Sequence, residues 1–272
     1  MEVVNNMNLY FHELKKLKRS TIIWGIVLLA IILLYMSFFP SMKDLGFDEL
    51  IYEKMNLFPE AVLKALNLDN MPDFSNYLQY YAYVFQFIIM ALYVYALVLG
   101  TSIISKEENE KTIEYLYANP ISRKEIMTSK LLASFTTLAL LMLSIFIFSY
   151  VLGIIFASSF VIIGLIKMMV FAFIVLIAYL SIGILLSVIL KRMSQGPMIA
   201  LGVFFGTYIL GIISGIVEKL DFLKYVSPYN YAIPMSILRG DVDIIGMIIS
   251  IFIIVICITL SYIVYNKKDM NI

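Results

Sequence analysis

Charge is what this chain has least of. Only 14% of its 272 residues are Asp, Glu, Lys or Arg, where about 25% is usual in a soluble domain. Too few remain to coat a globule that is 62% hydrophobic, which excludes a water-soluble enzyme and a disordered tail. The formal net charge of +1 is far from the balance a polyanion binder needs, so no nucleic acid is expected as a partner. One cysteine, Cys257, excludes an internal disulfide framework. The single histidine, His12, has no ligating neighbours nearby and reads as a surface residue, so no metal site is expected. No G-x-x-x-x-G-K-[ST] phosphate loop occurs, which removes that route to ATP.

What the chain has instead is long apolar runs. A membrane-crossing helix needs about 20 mainly apolar residues, and six stretches qualify: 21–39, 77–104, 131–156, 161–190, 197–217 and 244–265. They do not alternate polar and apolar as the strands of a membrane barrel do. The first exceeds the roughly 7–15-residue apolar core of a cleavable signal and lacks a small-x-small site after it, so it reads as a span. The fold class expected is therefore an all-α integral membrane protein of six transmembrane helices, with 1–272 as one transmembrane domain. Thirteen of the twenty Lys and Arg fall in segments that share a side with the termini, and seven on the other side. The excess of basic residues marks the cytoplasmic side, so both termini are expected in the cytoplasm of a cell (plasma) membrane. Lys167, the one basic residue inside an apolar run, sits near the outer end of span four, where its stem can carry the ammonium to the surface.

The segments between spans carry the functional signals. Residues 6–19 read as an amphipathic, interfacial helix, with Met7, Tyr10, Phe11, Leu14 and Leu17 on one face and Glu13, Lys15, Lys16 and Arg19 largely opposite. The extracellular loop 40–76 is acidic, with a short helix expected to start at Pro59. Asp44, Asp48 and Glu49 within it lack a calcium-loop pattern and read as solvated charge. In the inner segment 105–121, Ile113, Leu116 and Tyr117 make an apolar stripe at i, i+3, i+4 among charges, and Glu107 and Lys111 are placed to pair. Pro120 ends that helix, and Ser122 with Glu125 has the spacing of a capping box that starts the next one. A charged helix with apolar knobs followed by a sharp elbow suits docking into a groove of another protein; a solvated turn has the same composition.

At this segment the chain resembles the permease subunits of ABC-2-type exporters. Their pattern E-x-x-x-G-T-x-E-x-L…P-x-S-R, with a lysine near the start of span three, is matched by Glu108, Thr112, Glu114, Leu116, Pro120, Ser122, Arg123 and Lys130, with Lys111 where glycine is common. The resemblance covers nearly the whole chain, including an outer loop 218–243 similar to short re-entrant helices. It implies a permease that pairs with a second copy or a related permease as a dimer and lies in membrane lipid. It implies that 105–121 is a coupling helix seated on a separate cytoplasmic ABC ATPase subunit, with Glu108, Lys111, Thr112, Ile113, Glu114, Leu116, Tyr117, Pro120 and Arg123 at the contact. The amino-terminal helix adds a second contact. ATP and Mg2+ then belong to that partner, and this chain has no catalytic residues of its own. Spans two and five are expected to face the dimer axis, which makes Tyr83, Gln86, Tyr93, Gly202 and Gly206 the candidates for the translocation route or dimer interface; hydrogen bonding and close packing between helices of one chain explain the same residues. Ser194, Gly196 and Pro197 read as the turn that starts span five.

Two other classes compete. An ATP-independent secondary transporter or channel commonly uses intramembrane carboxylates, and an intramembrane enzyme needs a base or paired acids; the six runs hold no acid and no histidine. The cargo is not legible beyond a leaning towards amphipathic peptides or drug-like amphiphiles, moved outward as the resembled family does.

Overall fold

The computed structural model describes residues 2–44, 59, 62–63, 72–104, 122–157, 162–190 and 195–267. Among these no strand occurs. The elements are α1 (Glu2–Ser37), α2 (Phe39–Asp44), α3 (Tyr77–Ile103), α4 (Arg123–Phe156), α5 (Ile162–Ile189), α6 (Gly196–Ile216), 3-10 turns at Glu218–Val226 and Pro228–Ala232, α7 (Pro234–Arg239) and α8 (Ile244–Lys267). Six of them (α1, α3, α4, α5, α6 and α8) are long and apolar enough to cross a membrane, in the six places the sequence marks. With six crossings, the start of α1 and the end of α8 share one end of the bundle, here the terminal end; residues 39–44, 72–76 and 218–243 lie at the far end.

Residues 6–19 do not form a helix of their own. α1 runs unbroken for 36 residues, about 54 Å at 1.5 Å per residue, well beyond the ~30 Å of hydrocarbon. Its faces also differ from the sequence expectation: Phe11 is 55% exposed, whereas Glu13 is 3% exposed. The side that packs along α4 repeats every fourth residue, with Leu9 and Glu13 in the leading turns and Leu28, Ile32 and Met36 further on. A row of residues four apart is one ridge of a helix surface.

The centre of the bundle is the α3–α5 pair. A Cβ on Gly100 would lie 2.7 Å from the Leu180 carbonyl oxygen, and one on Gly183 would lie 2.6 Å from that of Leu97. Two backbones touch there because neither residue has a side chain, the device by which small residues join helices in lipid. With α1, α5 and α6 around it, α3 is buried along most of its length. α6 is peripheral and packs through the narrow stripe Gly196, Ala200, Phe204, Gly211 and Ser214; it starts, as expected, around Gly196 and Pro197, while Ser194 lies outside the described residues.

The far-end connection 218–243 is seated on two glycines. A Cβ on Gly211 would meet the Ser227 and Asn230 side chains at 2.6–2.9 Å, and one on Gly246 would strike the Tyr231 ring at 2.5 Å. Gly240, at φ 96°, closes α7 in the left-handed region that favours glycine. Tyr229 is buried against Tyr208 and Tyr93, with ring centroids 5.0 and 6.3 Å away. Tyr93 lies about 24 Å along α3 from Tyr77. In the loop 40–76, the Val62 and Leu63 N–H groups donate to the Pro59 carbonyl at 2.9 and 3.3 Å, and Val62 and Leu63 are helical, where the sequence expects a helix start. Asp48 and Glu49 lie outside the described residues.

Candidate functional site

The expected coupling helix, 105–121, lies outside the described residues, and with it Glu108, Lys111, Thr112, Ile113, Glu114, Leu116, Tyr117 and Pro120. The residues on either side of it, Ile104 and Ser122, are described. At the first, the Ile104 N–H donates to Ser187 Oγ at 3.2 Å, fixing the end of α3 to α5. At the second, the capping box is formed: Glu125 N–H donates to Ser122 Oγ at 3.3 Å, and Ser122 N–H donates to Glu125 Oε2 at 2.7 Å. Two of the orphan donors of a helix start are thereby satisfied by side chains three residues apart.

The first two turns of α4 are then tied to both neighbours. Arg123 Nη1 donates to the carbonyl oxygens of Tyr265 and Asn266 at 3.4 and 3.3 Å, at the end of α8. A guanidinium suits that place because the last carbonyls of a helix lack intrahelical donors and carry partial negative charge. One turn further, Thr128 Oγ1 and Tyr262 Oη lie 2.7 Å apart. On the other side, Lys130 Nζ sits 3.2 Å from Glu13 Oε2, with both side chains under 5% exposed. Glu13 also pairs with Lys16 at 3.5 Å, and Tyr10 Oη donates to Thr136 Oγ1 at 3.0 Å. Removing one partner of a buried ion pair costs about 3–5 kcal/mol, because the other charge stays behind without water.

Lys130 belongs to the motif the sequence offers; its partner was not legible. On a helical wheel Glu13 falls among basic residues and reads as solvated. The signal that would have found it is the spacing Leu9, Glu13, Leu17, which places the one acid of that segment inside an apolar row.

The route candidates separate. Tyr93 is fully buried between α3 and α5: its hydroxyl donates to the Ala172 carbonyl at 3.4 Å and its ring lies 5.0 Å from that of Tyr179. Gln86, 4% exposed, is also inside the chain. Tyr83 is half-buried and lines an apolar cavity of about 450 Å³ near the far end, between α1 and α3, with Tyr35, Phe38, Phe74, Tyr80 and Phe87. Gly202 and Gly206 point away from the chain: a Cβ on either would meet nothing within 4 Å. Elsewhere on α6, Gly196 and Gly211 pack inside the chain, while Gly215 faces open space. The glycines that join helices, Gly100 and Gly183, lie elsewhere.

Among the described residues no three His, Cys, Asp or Glu side chains lie together. What the arrangement provides is mechanical: a helix head held on two sides, directly after a charged segment. Comparison with known proteins fits that. No curated protein matches the chain. The family model described as ABC-2 family transporter protein matches residues 7–270, nearly the whole length. A family of this kind implies an ATPase partner. With its six apolar helices, the chain therefore belongs to the ABC-2 transporter family, as a multi-pass membrane permease.

Proposed function

We propose that the chain is the membrane-spanning subunit of an ATP-driven exporter, coupled through 105–121 to a separate cytoplasmic ATPase subunit that binds ATP and Mg2+. The observation that carries this reading is the family match over 7–270. It is supported by the head of α4, which follows the charged segment directly and is fastened to α1 and α8. Contacts made by Ile113, Glu114, Leu116 and Tyr117 then shift α4, and with it the helices around the route. The chain contributes no catalysis; hydrolysis belongs to the partner.

In this reading both termini are cytoplasmic in the plasma membrane, as the thirteen-to-seven split of basic residues indicates. The connection 218–243 is re-entrant, supported by the contact of Tyr229 with Tyr93, far along α3. A second copy, or a related permease, meets the outward-facing Gly202 and Gly206 across the dimer axis, since small residues permit close approach. Tyr83 and the apolar cavity beside it suit an amphipathic peptide or a drug-like amphiphile, in the size range of ligand pockets. Gln86 and Tyr93 act from inside α3, by shaping that helix.

The test is co-purification of the full chain with the ATPase subunit. Glu114→Lys is expected to reduce the retained ATPase subunit while leaving the chain inserted in the membrane. Unchanged assembly together with unchanged ATP hydrolysis sinks the coupling assignment.

A further inference from the structure

Four ties meet on the first four turns of α4, and they join three separate stretches of chain. α1 reaches α4 through the Glu13–Lys130 ion pair and the Tyr10–Thr136 hydrogen bond. α8 reaches it through Arg123 and through Thr128–Tyr262. Lys130 and Thr128 are close in sequence yet reach opposite neighbours, so α4 sits between them as the middle plank. The buried ion pair differs in kind from the described contacts between the other spans, which are apolar packing and hydrogen bonds between neutral groups. An ion pair shielded from water does not slide, because moving either partner leaves a charge uncompensated in a low dielectric. A buried ion pair is also weak evidence of stability for its own sake, since well-packed apolar residues often serve as well. Its presence at the one helix head that follows the charged segment points to specificity of position.

We propose that Glu13 and Lys130 are positioning residues that, with Arg123, make the leading turns of α1, the head of α4 and the tail of α8 one rigid body, which takes up the displacement delivered at 105–121. The inference rests on the ATPase-coupled reading above. It names what that reading leaves open: which parts move together. The thrust enters beside Ser122, is shared with α1 and α8 through the charged ties, and reaches α3 through apolar packing and, towards the far end, through the hydrogen bonds of Tyr77 and Tyr81 with Ser149 and of Tyr80 with the Tyr35 carbonyl. At the terminal end the body therefore moves relative to the end of α3, which is tied to α5 instead, and its displacement is carried along α4 and α1 to the far end.

The test uses the complete complex of the chain with its ATPase subunit, in nanodiscs of phosphatidylethanolamine and phosphatidylglycerol, with Cys257→Ser and two pairs of spin labels. One pair, at His12→Cys and Lys124→Cys, reads the distance within the proposed body. The other, at Asp73→Cys and Asp241→Cys, reads movement at the far end. Each is measured without nucleotide and with a non-hydrolysable ATP analogue plus Mg2+. In the otherwise unaltered complex the first distance is expected to stay constant and the second to shift. In Glu13→Gln and in Lys130→Met the ATPase subunit is expected to remain bound, the first distance to broaden and the nucleotide-dependent shift at the far end to be lost. The exchanged pair E13K/K130E is expected to recover both, and it keeps the question open to test if a single variant fails to fold. A first distance that changes with nucleotide in the unaltered complex overturns the proposal. So does a far-end shift that survives in the single variants, or a folded exchanged pair that recovers nothing. Absence of any ATPase subunit from the unaltered complex removes the coupling reading itself and this inference with it, and that result is seen before any variant is made.

Discussion

Tyrosine side chains on α3 show how differently neighbours in sequence are used. Tyr93 is enclosed on all sides, so Tyr93→Ala is expected to leave a void, to lose the bond to Ala172 and to cost about 3 kcal/mol. Thermal unfolding in detergent checks this as a large fall in the midpoint. Tyr83 lies at the edge of the apolar cavity, and Tyr83→Ala is expected to stay within about 1 kcal/mol of the parent in the same assay. At Ser122, the cap contributes about 1 kcal/mol. Ser122→Ala is accordingly expected to speed amide exchange at the start of α4 by a factor of about 5, leaving the middle of α4 unchanged; hydrogen exchange with mass spectrometry reads both. The capping box is legible in sequence because its two residues are three apart and face the same backbone. Glu13 is the opposite case. Its one local sign is its place in the row Leu9, Glu13, Leu17, and its partner is more than a hundred residues away.

At the scale of helices, glycine decides which pairs can close. Gly183 leaves no room for a methyl group, since the Leu97 carbonyl oxygen and the Gly100 Cα occupy the space at 2.6 and 3.0 Å. Carbonyl oxygens belong to the backbone and cannot rotate away, so Gly183→Ala is expected to push α3 and α5 apart and to cost about 1–3 kcal/mol. The yield of monodisperse protein in mild detergent should fall. Gly206→Ala, on the outward side of α6, is expected to leave that yield unchanged. If Gly183→Ala is tolerated as well as Gly206→Ala, the close crossing does not hold the centre together. The sequence reading singles out Gly202 and Gly206 of span five, for a dimer face or for packing within the chain; the packed pair in the structure consists of isolated glycines on two different helices. A spacing of four marks a possible face, but what the face meets is settled by the neighbour.

Taken whole, the molecule is a buried central pair, α3 and α5, with the other spans around it and charged ties gathered at the terminal end. α6 exposes most of its surface, Gly202 and Gly206 included. In the proposed dimer, Gly206→Cys in a Cys257→Ser chain is expected to give an oxidised dimer in membranes, whereas Phe252→Cys, on the exposed side of α8, is expected to give little. Equal cross-linking at both positions counts against α6 as the meeting face.

The sequence by itself determined that the chain crosses a membrane, how many times, which stretch each crossing uses, and the family motif. All of these are set by hydropathy over about 20 residues or by contacts within one turn of helix. Only the tertiary structure decided which side of each span faces protein. Lipid tails are as apolar as a leucine-rich core, so the residues turned towards α3 and those turned towards lipid have the same chemistry, and no periodicity separates them. The same holds for the exceptions: the Gly100–Gly183 crossing and the Glu13–Lys130 pair depend on positions brought together from distant parts of the chain.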